Sequence, residues 1–193
     1  MFYEWVKVSN VKRVSTGCKH GSCAFFDGLK SSLEIPRFKS AFSAFRAFSV
    51  SFWYKRTRET PAFLLTNGQC ADDASIEVMG LFHGDIKATL KTTSGTHSGK
   101  VRMSPLEWHH MVVTYYGNTM RMYVDKKLVS KGNLKGRLYN SKCSLSLGAK
   151  PVNSSPIIGY YRGYIDQLCV YRTKLSAADV SKLYNDPSLV KLP

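Results

Sequence analysis

The run Trp108-His109-His110-Met111-Val112-Val113-Thr114-Tyr115-Tyr116, the dipeptide Gly117-Asn118 and the run Thr119-Met120-Arg121-Met122-Tyr123-Val124-Asp125 leave this chain few options. Both arms are rich in β-branched and aromatic side chains, and Gly-Asn supplies the positive φ that a two-residue turn requires, so the segment predicts a β-hairpin. A second turn at Asp125-Lys126-Lys127 opens another strand at Leu128-Val129 and makes the hairpin a meander. Further strands are expected near 23–28, 32–36, 47–56, 62–67, 74–80, 85–92, 101–103, 143–148 and 160–172. Turn signals such as Asp27-Gly28, Asn67-Gly68, His83-Gly84, Ser94-Gly95 and Pro151 to Pro156 separate them. Many short strands at regular spacing predict an all-β fold, an antiparallel sandwich of two sheets. One short C-terminal helix is expected from Ala177 to about Tyr184, with Ser176 capping the amide of Asp179 and Leu175 packing on Val180 as a staple.

The alternation Val6-Lys7-Val8 and Val11-Lys12-Arg13-Val14 makes residues 1–22 a lead-in with an edge strand. Residues 23–187 read as the domain and 188–193 as a linker stub. A content of 44% hydrophobic residues excludes a disordered chain, and no apolar run is long enough to insert across a bilayer. The N-terminus lacks the basic-then-apolar layout of a secretory signal, so Met1 is expected to open an excised piece of a longer protein.

A formal charge of +15, from 28 basic and 13 acidic residues, concentrates polyanions at the surface. Lys126, Lys127, Lys131, Lys135, Arg137 and Lys142 fall within 17 residues that contain no acid, and Lys55, Arg56 and Arg58 end the long central strand. These are the candidate polyanion-binding or mineral-binding residues, the competing reading being a solvated face. Residues 126–142 offer Tyr139 alone for base stacking, so a nucleic acid is not the expected partner.

Catalysis finds little support. Glycan hydrolases of jelly-roll type carry paired carboxylates on one strand in a Glu-x-Asp-x-x-Glu run, whereas Ser75-Ile76-Glu77-Val78-Met79 has methionine at the second position. No nucleophile elbow, zinc-protease signature or phosphate loop is present. His109 and His110 are neighbours on a strand and point to opposite faces, so they cannot chelate one ion; one is expected to pack inward and the other to face out. No catalytic residue is assigned, and the chain is expected not to be an enzyme.

The Glu107-Trp108-His109-His110 string with its following strand, Gly-Asn turn and Tyr123-Val124-Asp125 resembles the laminin G-like branch of the concanavalin A-like jelly rolls. Ala24-Phe25-Phe26-Asp27-Gly28 with Ser32-Leu33-Glu34-Ile35-Pro36, Phe48 to Lys55, and Gly163 to Tyr171 with Leu175-Ser176 agree with it in order. The opening Gly21 to Gly28, Leu33 to Phe38 and Ser51 to Arg56 also resemble laminin G-like domains of molluscan shell-matrix proteins. The resemblance implies a jelly roll that is secreted to the extracellular matrix. It further implies a non-catalytic module whose partners are acidic matrix proteins, sulfated polysaccharide or a carbonate mineral surface, in calcium carbonate shell biomineralisation. The alternative it implies is a calcium-dependent lectin-like adhesion module.

No cofactor is required on the first reading, and calcium is the candidate ion on the second. Asp72-Asp73 stand roughly where the family keeps its first aspartate; a second is not evident, and Asn140 and Asn153 are the conceivable amide partners, beside Arg137, Lys142 and Lys150, which repel a cation. The extracellular setting makes disulfides the expected state of the five cysteines. Cys18–Cys23, bracketing a short loop, and Cys143–Cys169 are the preferred pairs, with other pairings open. Cys70 is then the odd thiol, buried or bridged to another chain.

Overall fold

The computed structural model describes residues 6–36, 46–68, 74–152 and 155–186. Two seven-stranded antiparallel sheets form a sandwich. In chain order the strands are β1 (Lys7–Ser9), β2 (Lys12–Val14), β3 (Cys23–Asp27), β4 (Ser32–Ile35), β5 (Ala47–Arg56), β6 (Ala62–Thr66), β7 (Ile76–Gly80), β8 (Asp85–Thr92), β9 (Gly95–Arg102), β10 (His109–Tyr116), β11 (Thr119–Val124), β12 (Lys127–Asn133), β13 (Leu145–Leu147), β14 (Lys150–Val152), β15 (Ser155–Ile158) and β16 (Arg162–Tyr171). The first sheet runs β1-β4-β13-β6-β7-β8-β9 and the second β12-β11-β10-β5-β16-β3-β2, with β14 and β15 as a separate hairpin.

The meander forms as its residues dictate. Gly117 and Asn118 have φ of 57° and 61°, and Asp125 and Lys126 have φ of 48° and 71°, both pairs in the left-handed region that a two-residue hairpin turn needs. Period-two alternation then sorts β5: Phe48, Val50, Phe52 and Tyr54 enter the core between the sheets, where they meet Leu64, Ile76, Val78, Ile86 and Leu90. Ser49, Ser51 and Trp53 point to the other face, which is buried as well, because helix α1 (Ala177–Asn185) lies on it. Val180 and Leu183 of α1 pack with Leu175, Val112, Tyr123 and Tyr171. Ser176 caps the helix in a reciprocal capping box with Asp179.

Four sequence expectations change. The edge strand of the lead-in is two strands, β1 on one sheet and β2 on the other, so these residues belong to the sandwich. The strand expected at 101–103 is β9, paired with β8 along its whole length; Gly95-Thr96-His97-Ser98-Gly99 carries no apolar signal because the residues it packs inward are His97 and Gly99. The turn expected at Pro151 to Pro156 includes strands β14 and β15.

The fourth concerns cysteines. Cys18 and Cys23 are joined, as expected. Cys143 and Cys169 are not joined to each other: Cys143 is disulfide-bonded whereas Cys169 carries a free thiol. Cys143 precedes β13 in the first sheet, and Cys169 stands cross-strand from Ser51 on the helix-covered face of the second, so the two are carried by different sheets. Burial raises the Cys169 thiol pKa, leaving it a poor nucleophile. Cys70 lies outside the described residues.

Candidate functional site

The basic residues fall into separate places. Lys127 and Lys131 lie on β12, the edge of the second sheet, and are exposed. That edge closes against β9, the edge of the first sheet, and glycines make the approach possible. A Cβ on Gly132 would stand 2.1 Å from the His97 ring, and one on Gly99 would stand 2.5 Å from the Ser130 Cβ. The narrow side of the sandwich therefore gathers Lys100 and Arg102 from β9 with Lys127 and Lys131 from β12. Lys135 and Arg137 follow in the next loop, held by bonds from Thr92 Oγ1 to the Lys135 carbonyl (2.6 Å) and from the Thr93 amide to the Arg137 carbonyl (2.8 Å). The carboxylate set among them is Asp85, which accepts from Lys100 (2.9 Å) and Arg102 (3.4 Å) and is held below the usual carboxylate range first by Lys100.

Two cross-strand pairs here are cation against cation. Arg121 on β11 is the register partner of Lys131, and Lys87 on β8 is the partner of Lys100. Like charges directly opposite on one face are destabilising. Lys100 and Arg102 were readable in the sequence as an alternating Lys-Val-Arg that puts both cations on one side of a strand. Arg121, inside an apolar meander, carried no such signal, because its partner became known only with the register.

The remaining candidates stand apart. Lys142 is exposed in the loop before β13. Lys126 leaves the narrow side and places its ammonium 4.6 Å from the Tyr184 ring of α1. Lys55 is half-buried opposite Tyr164, and Arg58 is exposed beyond the end of β5. Arg56 is a correction: at 4% exposure it is no surface cation. Its guanidinium donates to the carbonyls of Leu81 (2.7 Å) and Asp85 (2.9 Å), with a longer contact to Thr60 (3.5 Å), and burial pushes its pKa down. A Cβ on Gly80 would meet the guanidinium carbon at 2.6 Å, so the bare glycine backbone is what admits this side chain.

Both histidines are buried on opposite faces; the outward one is not exposed because α1 covers it. His110 stacks on Trp53 (5.0 Å) and bonds Ser51 Oγ through Nε2 (2.8 Å); burial drives its pKa down to about 4, so it is neutral at physiological pH. His109 points Nδ1 at Asp125 Oδ2 (2.7 Å) and Nε2 at the Ser104 carbonyl (2.9 Å). Two acceptors around one ring call for the doubly protonated form. Burial opposes that charge, but the bonds to Asp125 and Ser104 outweigh it and raise the His109 pKa; burial likewise opposes the Asp125 charge, and the His109 and His110 bonds outweigh it and lower its pKa.

The pair's stabilisation is present below the ordinary histidine value and lost as pH rises through the raised His109 pKa. From the aspartate side it is present above the ordinary carboxylate value and lost as pH falls through the depressed one. The pair's own contribution is therefore expected to be full between about pH 4 and 6.5, from the reference values of the two groups, whereas buried neutral His110 contributes stability above pH 6.5 that is lost as pH falls towards about 4. Asp125→Asn should flatten the alkaline limb in melting curves recorded against pH, and an unchanged limb would show that the pair contributes nothing.

For hydrolysis the carboxylates are badly placed. Glu34 and Glu77 share the outer face of the first sheet along the row Glu34-Ser146-Thr66-Glu77. Three strand spacings put them about 14 Å apart, beyond the roughly 5–9.5 Å of paired glycosidase carboxylates. Glu77 is moreover paired with Lys150 (2.9 Å). Among the described residues no three His, Cys, Asp or Glu side chains converge as a metal site. Asp72, Asp73 and Asn153 lie outside those residues, and Asn140 is exposed.

The two-sheet sandwich with its helix-covered face defines a jelly-roll module of the lectin and glucanase type. Residues 27–181 match the family model described as the concanavalin A-like lectin/glucanases superfamily, laminin G type, and the chain belongs to this family. Among solved structures it is similar to domain 4 of AbnA, an extracellular arabinanase of Geobacillus stearothermophilus solved with arabinotriose (17% identity, TM-score 0.70, covering 91% of this chain and 81% of that one). It is also similar to the binding domain of Paraclostridial Mosquitocidal Protein 1 (18% identity, TM-score 0.72, 93% and 47%) and to the SAP-like pentraxin of Limulus polyphemus (14% identity, TM-score 0.57, 72% and 70%). The chain thus spans about half of the toxin binding domain. No curated protein sequence matches it significantly. No helix among the described residues is long and apolar enough to cross a membrane.

Proposed function

We propose that the chain is a non-catalytic, extracellular binding module that holds anionic partners along the β9–β12 side. The observation that carries this reading is the facing of Arg121 on Lys131, cation on cation, which disfavours the free domain and which a bridging anion offsets; Lys100, opposite Lys87, is already met by Asp85. Lysines on edge strands also hinder edge-to-edge pairing, but that purpose needs no like-charged partner on the neighbouring strand. A binding role agrees with the neighbours, a domain solved with arabinotriose and a toxin binding domain, and secretion agrees with the extracellular arabinanase. Sulfated polysaccharide, acidic matrix protein and the carbonate face of a shell mineral all meet the chemical requirement.

The test is retention of the folded domain on immobilised sulfated polysaccharide and on calcite powder, across salt, with calcium and with chelator. Retention that falls steeply with salt and ignores chelator is expected. Elution at the lowest salt from both supports overturns the proposal. Loss of retention in chelator points instead to the calcium-dependent lectin-like reading centred on Asp72 and Asp73.

A further inference from the structure

The opposite narrow side is built differently. There β1 ends one sheet and β2 the other, and the chain crosses between them through Asn10, in left-handed conformation at φ 51°, and Val11. Where the crossing spans the gap the sheets do not fill the space between them. A cleft of about 380 Å³, mainly apolar, opens there, walled by Val8, Leu33 and Leu147 from one sheet and Ala24, Ile165 and Leu168 from the other.

Polar groups are few. Arg13 lines the cleft from an exposed position on the edge strand β2, opposite Ala24, which packs on the core. The ion pairs formed among the described residues lie elsewhere. Asp166 also borders the cleft, but its register partner is Trp53 on the helix-covered face, and its carboxylate accepts the His20 amide at 2.9 Å. Gln167 sits on the wall at φ 49°, where a bulge shifts the β16 register.

We infer that this cleft binds a small amphiphilic anion, an apolar body with one carboxylate or sulfate that Arg13 meets. Its volume lies in the range of small-molecule sites. An apolar cavity of about 150 Å³ takes one benzene, so this one suits two fused rings with a head group. Apolar walls bind the body, and a single guanidinium fork at the rim selects the head.

The test uses 2-naphthoate and its neutral isostere 2-naphthamide, titrated by calorimetry. Wild type should bind one naphthoate at least tenfold more tightly than the amide. Arg13→Met should bring naphthoate down to the amide's affinity and leave the amide unchanged, with Arg13→Lys in between. Val8→Trp, at an exposed position on the wall, should fill the cleft and abolish both while the melting temperature is kept. Failure of wild type to bind either compound, equal affinities, or naphthoate binding indifferent to Arg13→Met or to Val8→Trp would each overturn the assignment. None of these variants touches the β9–β12 cations, so retention on sulfated polysaccharide should persist in all of them.

Discussion

Arg56→Met is expected to lower unfolding stability by about 2–4 kcal/mol, the range for losing two charge-assisted hydrogen bonds less the recovered desolvation of one guanidinium. Methionine keeps the unbranched stem in place, so the change isolates the fork. That fork ties the end of β5 to both sides of the β7–β8 turn, through Leu81 and Asp85, while the Arg56 carbonyl accepts the Leu106 amide (2.9 Å). Removing it leaves the Leu81 carbonyl without that bond, whereas the Asp85 carbonyl keeps the Leu81 amide at 2.8 Å. Arg56→Lys should recover less than half, since one ammonium on a flexible stem cannot reproduce the planar fork. Urea unfolding of the three proteins decides it. A loss under about 0.5 kcal/mol, the range of ordinary surface substitutions, would show that the buried guanidinium is dispensable.

The fourfold reversal Lys100→Glu, Lys127→Glu, Lys131→Glu and Lys135→Glu should abolish retention on sulfated polysaccharide at physiological salt. Each reversal removes two positive charges, taking the formal charge from +15 to +7, so a positive domain remains. If diffuse charge alone held the ligand, retention would weaken in proportion; loss of all retention locates binding at the narrow side. Stability supplies an independent reading. Glutamate at 131 faces Arg121, converting a repulsive cross-strand pair into an attractive one, a gain of roughly 0.2–1 kcal/mol. Lys131→Glu alone should therefore keep or slightly raise the melting temperature while lowering affinity. A control of three reversals, Lys55→Glu with Arg58→Glu and Lys142→Glu, takes the charge to +9, leaves that side intact and should retain most of the binding. Equal losses in the two sets would remove the β9–β12 side as the site.

These two arginine and lysine sets show where reading residues in order stops. Both Arg56 and Lys131 are cations in strands, and nothing local distinguishes them. Arg56 follows the alternation of β5 inward, where Gly80 leaves room and two carbonyls await it, so it becomes structure. Lys131 lies on an edge strand, which has one neighbour in its sheet, so it stays at the surface. The same limit applies to the cysteines: Cys143 and Cys169 each follow a strand pattern, but only the folded structure puts Cys143 in the loop before β13 of the first sheet and Cys169 on β16 of the second.

What the amino-acid order determined by itself is local. Gly117-Asn118 and Asp125-Lys126 set the turns through their tolerance of positive φ, period-two alternation set which side chains of β5 and β10 face the core, and Ser176 with Asp179 set the start of the helix. Each depends on interactions within a few residues, which a linear string displays. The tertiary structure decided which strand edges meet. The closure of β9 on β12 depends on Gly99 meeting Ser130 and Gly132 meeting His97, contacts between residues about thirty apart, and it alone assembles the basic side. The cleft at Arg13 arises from the same cause at the other edge, because packing between sheets is a property of register and closure that no short segment encodes.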